Sequence, residues 1–510
     1  MLIFLFAGIR MLRILGSPKR LCTGPTRRDF LHAGSLSLLG LGLADYFRLS
    51  EAQAAPKHGV EHHFGKAKAC ILLYLYGSPS QIETFDMKPN APVEVRGEFK
   101  HIPSSVPGLD VCELLPNLAR EMHRTTVLRS VTHPYPIHGV AFATTGVPAI
   151  DVPMELNPRD ARHWPFIGSV VDFLTRQAKP HSKFDIPVNV ALPFPFSTRR
   201  TGEVARAGPY AAFLGSAYNP VWTEFHGEAT RHITKTLQET KLDVAEPYMG
   251  ITPESRFELA TATERPAEIT LDRMDKRRTL LEQFDQARAD LSGSDSGRSH
   301  DRYQQMAYNL IGSEKVRKAL DIQKEPRELR ESYGMTLFGQ SALAARRLVE
   351  AGSKFVTVIW DEFGLAGSGW DTHWDHYPRM RNELLPGFDM GLAGLLRDLD
   401  ARGMLDETLV MVLSEHGRTP RIQSVKGGGR DHWAQCYSCL LAGGGIARGR
   451  IVGKSDKIAG TVADRPISPK DILATAYHLL GINVETTLRD RTGRPMPLLQ
   501  NTSVITEALG

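Results

Sequence analysis

Cysteine is scarce, with five in 510 residues, too few for a disulfide framework. Cys436 and Cys439 have C-x-x-C spacing, but they fall in an expected strand, QCYSCLLA, where positions i and i+3 face opposite ways. No second pair completes a zinc site, so they read as small buried hydrophobes. Three catalytic signatures are also missing. No G-x-S-x-G elbow marks a serine hydrolase, and His226 and His232 lack the His-Glu-x-x-His spacing of zinc peptidases and read as surface residues. GRIVGKS (449–455) imitates a phosphate-binding loop, but Arg448 stands where its first glycine belongs. Long apolar runs are absent as well. Residues 1–16 are broken by Arg10 and Arg13, and no other segment approaches membrane-spanning length, so no integral membrane segment is expected in the mature chain.

A large excess of one charge is missing once the leader is set aside. The formal net charge is +5, and residues 1–54 carry seven Lys/Arg against three acids, or +4 of it, which leaves +1. That balance argues against nucleic acid as a partner. The same leader supplies an address. Arg27-Arg28-Asp29-Phe30-Leu31, an apolar stretch from Ala33 to Leu43, and Ala52-Gln53-Ala54 have the layout of a twin-arginine export signal. We therefore expect a signal and leader over 1–55 and a His-containing linker over 56–66. The twin-arginine machinery would be the export partner and a periplasmic or extracellular compartment the destination.

The rest is ordinary globular composition, 42% hydrophobic and 23% charged, with length for a large core. Buried strands are expected at Ala69–Tyr76, Thr126–Val131, within PVNVALPFPF, at KFVTVIW, at Leu409–Leu413 and at SCLLA. Helices are expected at Leu114–Met122, SALAARRLVEAG (stopped by Gly352), Leu384–Arg402, and after Ser468-Pro469, an N-cap followed by proline at the first helical position. Leu271–Leu291 and Tyr303–Ile322 read as an amphipathic helical hairpin inside an irregular insertion at about 195–330. Strand–helix alternation of this kind predicts one α/β domain over 67–500, built on a mostly parallel sheet flanked by helices.

The chemistry-bearing residues gather just past the strands. Leu409–Leu413 runs straight into Glu415-His416-Gly417-Arg418, and Asp431-His432 follows sixteen residues after His416. KFVTVIW leads to Asp371, His373, Asp375 and His376, with Asp371 and His373 on one side of an extended segment. If these strands are neighbours, their carboxyl ends meet, and a set of N and O ligands without thiolate suits one or two divalent ions such as Zn²⁺ or Mn²⁺. The loop after the first strand adds Glu83 and Asp86. The segment after Val131 offers Ser130, Thr132, His133 and His138 ahead of a small-residue helix, where a hydroxyl can serve as nucleophile.

RRDFL with its leader, ILLYLYGSPSQIETFDMKP, RGEFK, RSVTH, RRLVEAG, WDTH, HGRTP, GGRDHW and LAGGGI together resemble the domain of unknown function 1501 family, over about residues 26–485. That family's fold is assigned to the alkaline phosphatase-like, or sulfatase-like, superfamily. The resemblance implies a doubly wound α/β sandwich with a metal-centred hydrolase site. It implies Asp371, His373, Glu415, His416 and His432 as ligands of a divalent metal (Zn, Mn or Ca), with Asp431 outside the ligand set. Thr132 or Ser130 falls near the nucleophile position, and the Thr-Gly helix that follows it matches loosely as His138 to Gly146. Two departures stand out. Gly77-Ser78 occupies the place of the superfamily's first metal aspartate, and the Cys-x-Pro-x-Arg motif of formylglycine sulfatases is absent.

The expectation is therefore an exported metal-dependent hydrolase of phosphate or sulfate esters, acting on a small-molecule or polysaccharide ester. Arg418 or Arg430 would hold the anionic group, and Glu83, Asp86, His138 and Asp431 would support the ligands or contact the substrate. The competing expectation is a non-catalytic envelope or anionic-polysaccharide-binding protein that keeps the fold.

Overall fold

The apolar run ACILLYL forms β1 (Ala69–Leu75), buried along its whole length at the centre of a nine-stranded sheet. A strand covered on both faces has no polar side, which is why its sequence shows no alternation. Each of its large apolar side chains contributes about 1.5–3 kcal/mol relative to exposure. The computed structural model describes residues 61–510 apart from 137, 139, 148–161, 181, 183, 194–208, 229, 231, 238–239, 246–249, 260–312, 361–368 and 491. The chain divides into two compact units, Met1–His62 and His63–Gly510, and the second holds the sheet and its helices.

The remaining strands of the sheet are β2 (Thr125–Val131), β3 (Asn189–Leu192), β4 (Val221–His226), β5 (Arg256–Leu259), β6 (Phe355–Trp360), β7 (Thr408–Leu413), β8 (Tyr437–Ala442) and β9 (Arg450–Val452). Their order is β9-β2-β8-β7-β1-β6-β3-β4-β5. β1 pairs in parallel with β6 and β7, β6 with β3, β3 with β4, and β9 with β2. Only β8 and β5 run against the rest.

Helices lie on both faces. Leu337–Ala351 (α3) and Leu385–Ala401 (α4) pack in one core with Ile71, Leu73, Val356 and Val358. On the other face Ile167–Ala178 (α2) lies where Phe166 and Gly168 meet Phe355. This is the doubly wound, mostly parallel sheet that the resemblance implied.

Local signals account for the helix ends. Thr336 accepts a hydrogen bond from the Gly339 N–H, and Gly352 closes α3 in the left-handed conformation. Ser468 and Asp471 form a capping box around Pro469–Leu479 (α5). The expected Leu384–Arg402 helix is Leu385–Ala401, entered through a π-helical turn at Met380–Leu384.

Two differences appear, and part of the expected insertion falls outside the described residues. β4 and β5, inside the expected insertion, extend the main sheet. Of the expected helical hairpin, Glu314–Leu320 is helical and 271–312 lie outside the described residues, as does the export leader. The fold also runs past residue 500: Ile505, Ala508 and Leu509 are buried, and the Ala447 N–H bonds to the Ala508 carbonyl. Cys436 and Cys439 are free and buried, and burial pushes both thiols up to about 12. No helix of the described residues is long and apolar enough to cross a membrane.

Candidate metal centre

Sheet register decides where the polar residues meet. Leu413 of β7 lies opposite Tyr74 and Trp360 of β6 opposite Leu75, so β1, β6 and β7 leave the sheet at one edge. β2 joins them there, because the antiparallel β8 places Tyr437 opposite Val131. Four chain segments therefore leave one edge: 77–86, 132–136 with His138, 370–376 and 414–418. A short antiparallel pairing of Gly417–Arg418 with His432–Trp433 folds the fifth, 430–433, back onto them. The first exit is tight. The Trp370 N–H bonds to the Tyr76 carbonyl, and a side chain at Gly77 (φ 94) would meet the Asp371 nitrogen at 2.2 Å.

Two carboxylates and four imidazoles converge at this edge. Asp371 Oδ1 lies 3.0 Å from His373 Nε2 and 3.3 Å from His432 Nε2, and its Oδ2 lies 3.1 Å from His138 Nε2. Glu415 Oε1 accepts the Gly77 N–H at 2.8 Å and lies 2.9 Å from His138 Nδ1, while its Oε2 accepts the Tyr74 hydroxyl at 3.1 Å. The His138 and His432 rings are 4.0 Å apart, centre to centre, and His416 and His432 are 4.5 Å apart. Two sets of side chains could each hold one ion: His138, Asp371, His373 and His432, and His138, Glu415 and His416. In each set the ligand atoms lie within 4.8 Å of one another.

Outer hydrogen bonds fix three of these rings. His416 Nδ1 donates to the Gly417 carbonyl at 2.8 Å, which leaves its Nε2 a lone pair. That nitrogen is buried and has no hydrogen-bond partner among the described residues. Burial, Arg418 and the neighbouring imidazoles push its pKa well below the ordinary value, so the ring is neutral. His373 Nδ1 meets Asp431 at 2.6 Å, and His432 Nδ1 faces the Pro136 carbonyl at 3.3 Å. The backbone is held too: His133 Nε2 donates to the Glu415 carbonyl, and Ser78 Oγ accepts the His416 N–H.

Charge is arranged around the carboxylates. Burial disfavours an ionised Asp371, but Arg418 and three imidazole hydrogen bonds outweigh it and hold the carboxyl well below its ordinary range. Glu415 is lowered in the same way, burial being overcome by His138 and backbone N–H groups. Burial also works against a charged His138, yet its bonds to Asp371 and Glu415 raise it to about 9. An orphaned imidazole lone pair beside two ionised carboxylates and crowded rings fits a divalent cation that accepts N and O donors.

A family model described as "Protein of unknown function (DUF1501)" matches residues 67–509. The chain belongs to that family. No curated protein matches it. Solved structures similar to this DUF1501 chain include PsFucS1 sulfatase from Pseudoalteromonas sp. (11% identity, 89% of this chain and 77% of that chain, TM-score 0.38). The lipoteichoic acid synthase LtaP from Listeria monocytogenes is another (10%, 89% and 80%, TM-score 0.33). A third is the phosphonate monoester hydrolase SpPMH from Silicibacter pomeroyi (10%, 81% and 73%, TM-score 0.29). Likenesses this distant carry no argument about chemistry, which stands on the chain's own residues.

The DUF1501 site brings together Asp371, His373, Glu415, His416 and His432 as the sequence grouped them, with Asp431 behind His373. His138, expected at the periphery, lies at the centre, in both candidate ligand sets. Its only sequence signal was its place between a strand end and a helix start.

Other expected residues are elsewhere. The Ser130 hydroxyl is buried and donates to the Arg465 carbonyl at 2.5 Å, which turns it from the cluster, and the Thr132 N–H bonds to the Ile467 carbonyl. Arg418 is engaged within the protein. Its guanidinium is buried, contacts Asp371 Oδ1 at 2.6 Å, and donates to the carbonyls of Gly77, Ser78 and Arg430. Arg430 is likewise spent on Glu83 and on the Val95, Thr419 and Pro420 carbonyls. Glu83 is therefore the buried partner of Arg430, and Asp86 pairs with Lys88 and Ser455. Sequence reasoning missed Tyr74 and Gln81. Gln81 bonds to both the N–H and the carbonyl of Arg418, and neither residue carries a motif signal.

Proposed function

We propose that the chain is an exported metal-dependent hydrolase of phosphate or sulfate esters, not of the formylglycine type. The observation that carries the reading is the buried, unpartnered Nε2 of His416 beside the ring of carboxylates and imidazoles. Asp371, His373 and His432 would hold an ion on one side, and Glu415 and His416 on the other. Four imidazoles against two carboxylates favour Zn²⁺ or Mn²⁺ over Ca²⁺. Such an ion polarises an ester oxygen and makes water more acidic.

The chain's own residues prepare the ground. Asp431 and the Gly417 carbonyl each take the outer N–H of a ring and aim its other nitrogen inward. Arg418 fixes Asp371, and Tyr74 and Gly77 fix Glu415, so the carboxylates are in place before anything binds. Ser130 is turned away, and Ser78 is sealed from solvent. With these two hydroxyls set aside, the attacking group in this proposal is water or the Thr132 hydroxyl. Export, and with it a periplasmic or extracellular setting, rests on the twin-arginine leader.

The test is metal content of the purified protein together with turnover of aryl phosphate and aryl sulfate. Stoichiometric metal and turnover lost in His432→Ala are expected. Absence of metal with His432→Ala unchanged would sink the reading.

A second reading, a non-catalytic envelope or anionic-polysaccharide-binding protein that keeps the fold, draws on the full engagement of Arg418 and Arg430, which leaves neither to hold a reacting ester. Metal and polysaccharide binding with no turnover of either ester would favour it.

A further inference from the structure

His138 differs from the other rings in the cluster in how its two nitrogens are used. His416, His373 and His432 each turn one nitrogen to an outer partner, the Gly417 carbonyl, Asp431 and the Pro136 carbonyl respectively. Each thereby has a single nitrogen left for the centre. His138 has no such anchor in its hydrogen bonding. Its Nδ1 is 2.9 Å from Glu415 and its Nε2 is 3.1 Å from Asp371, so both nitrogens face carboxylates of the two candidate ligand sets. The ring is held in place by packing, with Tyr76, His416 and His432 at centroid distances of 5.3, 5.4 and 4.0 Å.

We infer that His138 is a shared ligand, its ring bridging two metal ions, one held with Asp371, His373 and His432 through Nε2 and the other with Glu415 and His416 through Nδ1. The inference rests on the metal-dependent reading above and deepens it. Both nitrogens then act through lone pairs, so the ring gives up its N–H protons to solvent when both positions fill. Without ions, the same ring donates to the two carboxylates and holds them apart. Bridging of this kind suits the borderline ions that bind imidazole tightly, Zn²⁺ and Cu²⁺, and not Ca²⁺.

The distinction has a direct readout in the full-length chain. Titration with Zn²⁺ followed by elemental analysis is expected to give two ions per chain. Loading with Cu²⁺ is expected to give the electron spin resonance of a magnetically coupled pair, because a bridging ring joins the two spins. His416→Ala is expected to leave one ion and an uncoupled spectrum, and His373→Ala to do the same from the other side. His138→Gln is expected to abolish the coupling and weaken both ions by at least tenfold. The wild-type spectrum needs no variant, so a misfolded His138→Gln does not obscure the result.

One ion per chain, or two uncoupled ions in the wild type, overturns the shared ligand while leaving a metal-dependent hydrolase standing. No bound ion at all overturns both.

Discussion

Two groups of acidic and basic side chains share the segment 371–376, and they differ in burial: Asp371, His373 and His432 are partly exposed, whereas Glu83, His376 and Arg430 are sealed from solvent. Asp371 and His373 turn one way, into the group with His138, Glu415 and His432. Thr372, between them, turns the other way: its carbonyl accepts the Arg430 N–H, and its hydroxyl meets His376 Nδ1. There Glu83, Arg430 and His376 form the second group, with His376 Nε2 facing Glu83 at 3.5 Å. A strand-like alternation thus divides one short segment between two tasks.

In the second group a guanidinium, with five donors in a fixed fork, is spent on Glu83 Oε1 and the surrounding carbonyls, while Glu83 Oε2 and His376 Nε2 face each other at 3.5 Å. The first stays open because imidazoles dominate it, and a ring with one nitrogen engaged still presents the other. Acidic and basic residues at strand ends are therefore not equivalent signs of a site. What separates a structural knot from a binding centre here is convergence: three or more ligand atoms come within 4.8 Å of one another in the first group, whereas in the second a guanidinium stands beside a single carboxylate.

The comparison can be broken first at Arg430. Arg430→Ala leaves the buried Glu83 without its counter-charge and is expected to cost about 3–5 kcal/mol of stability, read by urea unfolding of the metal-free protein. A stability change below about 1 kcal/mol would mean that the closed group is not structural.

Next comes pH. His138 is raised in the folded chain to about 9, above an ordinary imidazole value of about 6.5. Its contribution to metal-free stability, on the order of 3 kcal/mol, is therefore fully present below about pH 6.5 and lost as pH rises through about 9. Glu83 has the opposite sign. Held at about 2 by Arg430 and His376 against the pull of burial, it loses its contribution as pH falls from about 4.5 toward 2. Asp371 and Glu415 are lowered too and share that acid limb. His138 and the likewise raised His373 share the alkaline limb, which should flatten in part in His138→Gln; an unchanged limb would remove the ring from its place between the carboxylates.

The smallest effect is expected at Asp431, half-exposed behind His373. Asp431→Asn should weaken Zn²⁺ binding by about 10–100-fold while leaving metal-free stability within about 0.5 kcal/mol. Equal losses in both would place Asp431 among the structural residues instead.

Much of the fold was legible because the buried strands are short continuous apolar runs with polar punctuation. ACILLYL, FVTVIW and TLVMVL form three adjacent strands, and the acid–His groups past them meet as parallel neighbours require. The antiparallel β8 was not legible as such, since direction leaves no trace in a strand covered on both faces.

At the site, residue types were readable and their partners were not. Arg418 and Arg430 look like anion-binding residues in a linear reading, and only long-range packing shows that Asp371 and Glu83 already engage them. Ser130 reads as a candidate nucleophile at a strand end, yet its hydroxyl turns toward Gly453 and the Arg465 carbonyl, residues more than three hundred positions away. His138 was undervalued for the same reason, because its two partners come from two other strand ends.

The close passage of Gly77 against Trp370 and Asp371 limits how this site can change. With the Asp371 nitrogen 2.2 Å from where a Cβ would stand, position 77 admits no side chain unless the neighbouring segment withdraws. An aspartate at the tip of the first strand is thus closed to single substitution. Its place is filled by proxy, since the Gly77 N–H reaches out to a carboxylate delivered from the adjacent strand. Any redesign that seeks a further acid on this side must enter through position 415 or beyond, or rebuild the 370–371 passage first.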